Sequence, residues 1–350
     1  MHLSQDSFYL RGVEYANLTA QIGFFSSTVF CYILISLTVF GVKRNFGSYK
    51  NLLIIFPTIG ILFATIEMIV YPHVHSYNAG YVFYSTNRPF SVSNEVVTWM
   101  LAIYTGLYAF TISLLAVQFV YRYWAVFDET KLRFFKGWYF SICLAYSAFF
   151  GISWTLGHIV FEKIDTYAES YMKMEMMEKY GINISNVAGT VLVAYDSQGN
   201  VRWWNSMCII NMVTTMTIQY AIISYCAYFM WQKMEGALQM MSTGTRNIHK
   251  QFFKTLILQI TTPTITLFSP LLFMIFLPYF NLEISFPSGI FLCSFTLYPA
   301  MDAIIIMYVV TDYRKVMKKG LKKYVGMVHN WLNSGTEVGS SRETQSARVM

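Results

Sequence analysis

The run VVTWMLAIYTGLYAFTISLLAVQFVY, residues 96–121, contains no Asp, Glu, Lys or Arg. As a helix rising 1.5 Å per residue it extends about 39 Å, more than the ~30 Å hydrocarbon core of a bilayer. Tyr15–Val42, Gly137–Phe161, Trp203–Gln232 and Thr255–Leu282 are likewise free of those four residue types. Two further apolar runs hold one acid each, Asn51–Tyr71 around Glu67 and Ser288–Thr311 around Asp302. The pattern predicts an all-α membrane protein with seven spans, at about 17–41, 51–71, 97–121, 138–161, 204–231, 252–280 and 288–311.

Composition agrees, since only 12% of residues are charged where a globular chain carries about 25%. No single connection is long enough for a substantial independent domain with its own core, so soluble-enzyme and nucleic-acid readings fall away. The net charge of +7 reports topology, because 19 of the 25 basic residues fall in one alternate set of connections. By the positive-inside rule the N-terminus is outside and the C-terminus inside. The sequons at Asn17 and Asn183 both lie on the outer side and are candidate glycosylation sites. The opening residues have no apolar run of signal-peptide type, so the first span is expected to be an uncleaved anchor.

The long connection Glu162–Arg202 is expected to hold a short helix followed by a strand or hairpin. Pro57, Pro263, Pro270, Pro278 and Pro299 fall within spans, and kinks are expected in spans six and seven. After Tyr313, RKVMKKGLKKYVGMVHNWL places Met317, Leu321, Tyr324, Val328 and Trp331 at helical spacing. Lys315, Lys318, Lys319, Lys322 and Lys323 fall largely on other faces, which predicts an interfacial helix over 312–332 on anionic inner-leaflet lipid. Residues 333–350 are polar and expected to be disordered.

Seven spans and a basic amphipathic helix follow the plan of a G-protein-coupled receptor, and four stretches sharpen the likeness. NFGSYKNLL (45–53), QFVYRYWAVF (118–127), KQFFKTLILQITTPTITLFSP (250–270) and TLYPAMDAIIIMYVVTDYRK (296–315) resemble the nematode Str family of serpentine chemoreceptors, to which the odorant receptor for diacetyl belongs. Ala303 departs from the Pro that family members often carry after the aspartate, which bears on the bend of span seven. The resemblance implies a chemosensory, olfactory receptor in the plasma membrane of a sensory cilium. Its partners would be a small odorant and a heterotrimeric G protein; no cofactor is implied. A transporter and a ligand-gated channel are the alternatives: the first predicts inverted repeats, the second the reverse orientation.

Within this frame Arg122, flanked by Tyr121 and Tyr123, is read either as a snorkelling anchor or as a switch between an intramolecular partner and the G protein. Asp302, in Tyr298-Pro-x-x-Asp, sits about 14 Å inside span seven, as a polar switch or as a protonated acid in a packed core. Tyr104, Tyr108, Thr111, Leu115 and Gln118 form a stripe in span three. Cys208, Met212, Thr215 and Gln219 form one in span five, and Gln259, Thr262, Thr266, Ser269 and Phe273 one in span six. Such stripes often merely face other helices; together they point to a central cavity with Tyr104, Tyr108, Met212 and Phe273 in its outer half. Thr111, Thr215 and Thr266 are further candidates, and the lining suits a small, largely apolar ligand.

Glu67 and His158 lie at matched depth, which predicts a hydrogen bond between them; the competing reading gives Glu67 a nearby hydroxyl or backbone donor. His73 and His75 form a His-x-His that on a strand could bind a transition metal, and read as solvated loop residues. His158 and Glu162 have the i, i+4 spacing of metal ligands but no third partner, so no metal site is expected. The five cysteines read as small packing residues, and none suits a disulfide between span three and the long outer loop, which must be held otherwise.

Overall fold

The computed structural model describes residues 2–41, 47–238, 257–320, 322 and 325–327. Six of its helices are long and apolar enough to cross a membrane: α1 (His2–Ser36, extended by a π-helical turn Leu37–Gly41), α2 (Tyr49–Val70) and α3 (Asn94–Phe127), then α4 (Phe140–Phe161), α6 (Trp203–Leu238) and α7 (Ile257–Phe280). The seventh apolar segment is broken into α8 (Gly289–Cys293), a 3-10 turn at Ser294–Thr296 and α9 (Leu297–Val309). A helix over 311–320 follows, labelled α10. α1 begins well before residue 17 and α3 runs on past residue 121, so both project beyond the apolar runs that announced them.

The bundle is built around α3, whose buried side chains follow one another almost without interruption from Leu101 to Phe119. Its approach to α4 is close because glycines face each other: a Cβ on Gly106 would stand 2.7 Å from the Gly151 carbonyl oxygen. Small residues at such crossings let helices pack where no hydrophobic force drives them together. Large apolar side chains such as Phe25, Phe149, Ile152 and Ile265 face outward, as lipid-facing residues do.

The expected kinks take specific forms. Pro57 sits inside α2 without breaking it. In α7 a π-helical turn, Thr264–Phe268, follows Pro263, and Leu277–Phe280 tightens to 3-10 around Pro278. The carbonyls loosened near Pro299 are met from α1, where the Cys31 thiol donates to Pro299 O at 3.6 Å and the Ser27 hydroxyl to Thr296 O. That is how a membrane helix tolerates a break.

One end of the bundle carries a roof. β1 (His73–Tyr77), β2 (Gly80–Ser85), β3 (Ala188–Val193) and β4 (Ser285–Phe286) form an antiparallel sheet in the order β3-β2-β1-β4. Its strands come from three different connections. β1 and β2 are joined by a tight turn in which Asn78 takes positive φ, and β2 pairs with β3 from Gly80↔Val193 to Ser85↔Ala188. Gly189 is required in that ladder, since a Cβ would lie 2.2 Å from Phe83 O.

α5 (Thr166–Tyr180) covers the sheet, capped at its start by the Asp165 carboxylate accepting from Ala168 N at 2.8 Å and ended by Gly181 at φ +65. Val82, Tyr84, Val191 and Val193 pack against Ala168, Met172 and Met176 in a second small core. No single connection supplies this core; the connection between α2 and α3 and the one between α4 and α6 build it together, in keeping with the expectation that none carries a core alone. The same ladder holds the long connection, and the four described cysteines are free.

Candidate functional site

Beneath the roof lies a cavity walled by every layer just described. Val74, Tyr81 and Phe83 come from the sheet, Tyr104, Thr105 and Tyr108 from α3, Trp154 and His158 from α4 and Met212 from α6; Leu271, Met274 and Ile275 of α7, with Leu292 and Phe295, close it. Strand alternation explains the roof's share: Tyr81 and Phe83 point down while Val82 and Tyr84 point up into the second core. The space is tight, about 50 Å³ being open to the centre of a water-sized molecule.

Most polar groups of the lining are already engaged. Tyr104 donates to Glu67 Oε2 at 2.7 Å, Tyr108 to Leu267 O at 3.2 Å in the π-turn, and Thr105 to Ala102 O at 2.8 Å. Trp154 differs: its indole N–H is buried with no hydrogen-bond partner among the described residues. A buried donor left unmet costs about 1–3 kcal/mol, so this one is poised for an acceptor.

Of the candidate ligand residues, Tyr104, Tyr108 and Met212 line the cavity and the others do not. Thr111 is buried deeper and bonds the Leu107 carbonyl at 2.8 Å; Thr215 is buried three residues beyond Met212. Thr266 bonds Thr262 O at 2.8 Å, and Phe273 is 55% exposed on the lipid side. The π-turn is the cause. Its extra residue per turn rotates the rest of α7, so the inward face runs Gln259, Pro263, Leu267, Leu271 and Met274 instead of ending on Phe273.

Glu67 and His158 are not joined. Glu67 points into the bundle, fully buried, where it accepts from Tyr104 and from Thr296 at 3.2 Å. His158 Nδ1 is 2.9 Å from Glu162 Oε2 on its own helix. Matched depth was a poor guide because both groups find partners on nearer elements.

Glu162, missed as a site residue, caps α4 and is fully buried. Its carboxylate also accepts from Tyr81 at 2.5 Å and Thr190 at 3.2 Å, and its carbonyl from Val191 N at 3.0 Å. It therefore fastens β2 and β3 to the bundle, with Cys208 of α6 alongside. Burial pushes this carboxyl upward, but the His158 imidazole and the hydrogen bonds outweigh it and hold the group below the usual carboxylate range. Burial and the Glu162 charge push the Tyr81 phenol up, so it remains a donor.

His73 and His75 are buried in β1, not solvated, because the hairpin lies between α5 and the bundle. His75 bridges Glu175 Oε1 at 3.1 Å and Tyr180 at 2.9 Å, and Glu175 also accepts from Ser285 at 2.5 Å. Tyr9 reaches Ser285 Oγ at 2.8 Å, tying α1 to the same cluster. Burial drives the His73 imidazole down to about 4.

At the opposite end Arg122 is held within the protein. Its guanidinium donates to Tyr49 Oη, at 2.6 Å from Nη2, and to Gln259 Oε1, while Gln259 Nε2 donates to Asp302 Oδ1 at 3.2 Å. Tyr123 stacks on Phe127 at 4.6 Å and tilts against Tyr225 of α6. The Tyr298 hydroxyl, one turn from Asp302, is buried without a partner among the described residues.

Lys315, Lys318 and Lys319 of α10, with Lys322 beyond it, are exposed, whereas Met317 packs on the bundle. Lys323, Leu321, Tyr324, Val328, Trp331 and the tail lie outside the described residues, as do 45–46 and 250–256 of the stretches that carry the resemblance. Asn17 lies within helix α1, and Asn183 caps the 3-10 turn Ile184–Asn186.

Residues 16–318 match the family described as "Serpentine type 7TM GPCR chemoreceptor Str". The chain is 36% identical over 301 residues to "G-protein coupled receptor str-33" of Caenorhabditis elegans, an alignment covering 84% of this chain and 87% of the relative. It is 28% identical over 301 residues to "Serpentine receptor class r-10" of the same nematode, covering 82% and 86%. A 24% identity to "G-protein coupled receptor str-217" of C. elegans extends over 288 residues, 81% and 83% of the two chains. These relatives are named as receptors, so the chain is a multi-pass membrane receptor and not an enzyme. It belongs to the Str family of serpentine seven-transmembrane chemoreceptors.

Proposed function

We propose that the chain is an odorant receptor that binds a small, mostly apolar molecule in the roofed cavity and signals to a heterotrimeric G protein at the Arg122 end. The observation that carries this reading is the Trp154 indole, a buried unmet donor on a wall residue where most other polar groups are already bonded. The occupant it favours presents one hydrogen-bond acceptor on a compact apolar frame. The roof faces the outside of the plasma membrane of a sensory cilium, and the basic connections and α10 face the cytoplasm and its anionic lipid. The receptor unit covers residues 1–311, the interfacial helix 312–332 and the tail 333–350. Ligand acts by binding one arrangement of the bundle better than another, which shifts the population in which the cytoplasmic ends of α3, α6 and α7 admit the G protein.

The experiment is expression with a calcium or cAMP reporter against a panel of volatile compounds, paired with Trp154→Phe. The substitution keeps the ring and removes the donor, so responses to acceptor-bearing activators fall about tenfold, the equivalent of one hydrogen bond. Responses to hydrocarbons of the same shape are unchanged. Equal responses of wild type and Trp154→Phe to every activator would overturn the assignment of the cavity.

A further inference from the structure

His158 and Glu162 are one turn apart on α4, a spacing that sets two ligands on one helix face, and α6 supplies what the sequence pattern lacked. A ring nitrogen of His158, a carboxylate oxygen of Glu162 and Sγ of Cys208 all lie within 4.8 Å of one another, and all three residues are buried. We propose that these three side chains form a Zn(II) site at the joint between roof and bundle.

Geometry, charge and donor type each lead there. Ligand atoms bound to one Zn(II) at about 2.0–2.3 Å stand roughly 3.3–3.8 Å apart, so closing the site requires shifts of about 1 Å or less. A buried carboxylate and a buried thiolate together carry two negative charges, and among the described residues Glu162 pairs with no Lys or Arg. Zn(II) brings the cluster to zero net charge, the condition under which ions are tolerated in a low-dielectric interior. A mixed nitrogen, oxygen and sulfur set suits Zn(II); Mg(II) and Ca(II) take oxygen ligands, and Cu(I) takes soft sulfur donors in preference to a carboxylate.

The surroundings supply the remaining parts. Tyr81 donates to Glu162 Oε1 at 2.5 Å and Thr190 to Oε2 at 3.2 Å, which orients the carboxylate as outer-sphere donors should, with Oε2 turned to His158 at 2.9 Å. His158 is part of the cavity wall, and a water from that cavity completes four-coordination. Binding exchanges a proton for metal: the Cys208 thiol proton leaves as Zn(II) enters, and neutral His158 binds through Nδ1 with its own proton carried on Nε2. Because Glu162 also anchors β2 and β3, the loaded site fastens the roof more firmly over the cavity.

Co(II) is the probe. Full-length receptor purified in detergent and stripped with EDTA is expected to take up one Co(II) per chain, with a near-ultraviolet thiolate-to-cobalt absorption and tetrahedral visible bands that Zn(II) abolishes. A variant in which Cys31, Cys143, Cys226 and Cys293 are replaced by Ser keeps the thiolate absorption, and Cys208→Ser loses it. Micromolar Zn(II) raises the melting temperature of wild type, reversibly with EDTA. Absence of the thiolate absorption in wild type or in the variant retaining Cys208 alone overturns the proposal, as does an absorption that survives Cys208→Ser. The wild-type spectrum decides even where Cys208→Ser does not fold. Neither result depends on which molecule fills the cavity.

Discussion

Gln259 donates to Asp302 Oδ1 at 3.2 Å and with its amide oxygen accepts from Arg122, so one neutral side chain joins the cation of α3 to the acid of α9. The usual receptor arrangement in which the arginine pairs with an adjacent acid is closed to this chain, because Tyr121 precedes Arg122. The amide takes the acid's place, and Tyr49 completes the cage from α2. Held this way, the half-buried Arg122 guanidinium is bonded to α2 and α7 within the bundle.

Hydrogen bonds to charged groups are worth about 1.5–3 kcal/mol each. Gln259→Leu removes two, and ligand-free nucleotide exchange on the G protein is expected to rise about tenfold or more as the held state loses population. Arg122→Ala is expected to do the opposite, leaving ligand binding and surface display intact while abolishing exchange. A Gln259→Leu receptor with wild-type surface level and unaltered basal exchange would sink the cage.

The separate partners of Glu67 and His158 make a second prediction. In a double-mutant cycle on thermal stability, Glu67→Gln and His158→Ala should add within about 0.5 kcal/mol, whereas His158→Ala and Glu162→Gln should couple by at least that amount. Coupling in the first pair would mean that the two groups meet after all.

Rotation of α7 by its π-turn is tested by paired substitutions. Phe273→Ala removes a lipid-facing ring and should leave the ligand concentration for half-maximal response unchanged. Leu271→Trp adds bulk to a cavity with room for only a few heavy atoms and should abolish the response. Were Phe273→Ala to weaken the response while Leu271→Trp did not, the face of α7 would be wrongly assigned.

The spans were legible because the cost of a charge in hydrocarbon writes itself as uncharged runs, and Arg122 and Asp302 stood out against them. The roof was not. β1 and β2 are buried on both faces, so the apolar-polar alternation that betrays a half-exposed strand is missing from His73–Tyr77 and Gly80–Ser85. Its sheet joins three connections distant in sequence, and no local pattern specifies such pairing. Thr266 and Phe273 are off the cavity wall through one extra residue in a turn, a phase shift that helical periodicity cannot carry past Pro263. Glu162 stood out only through its spacing from His158; its anchoring role was not legible because Tyr81, Thr190 and Cys208 all come from other elements. Tyr104, Tyr108 and Met212 line the cavity as their spacing implied, because they lie on long, regular helices where spacing alone sets the face.

Acid should loosen the roof through His73. Burial lowers this imidazole from 6.5 to about 4, so between those values the unfolded chain binds a proton that the folded chain does not. Stability therefore rises with pH across that window and is lost as pH falls through it. The full shift corresponds to roughly 3 kcal/mol, of which about 2 kcal/mol is lost by pH 5. Glu162 and Glu175 do not share the window, because both are held below the usual carboxylate range and lose their contribution only at lower pH. Melting of the purified receptor between pH 7 and pH 5 should accordingly show a downward shift in wild type that His73→Phe, which retains an aromatic ring beside Tyr84, largely removes. Identical pH slopes in the two proteins would show that His73 is protonated in the folded roof and that its burial is less complete than the sheet implies.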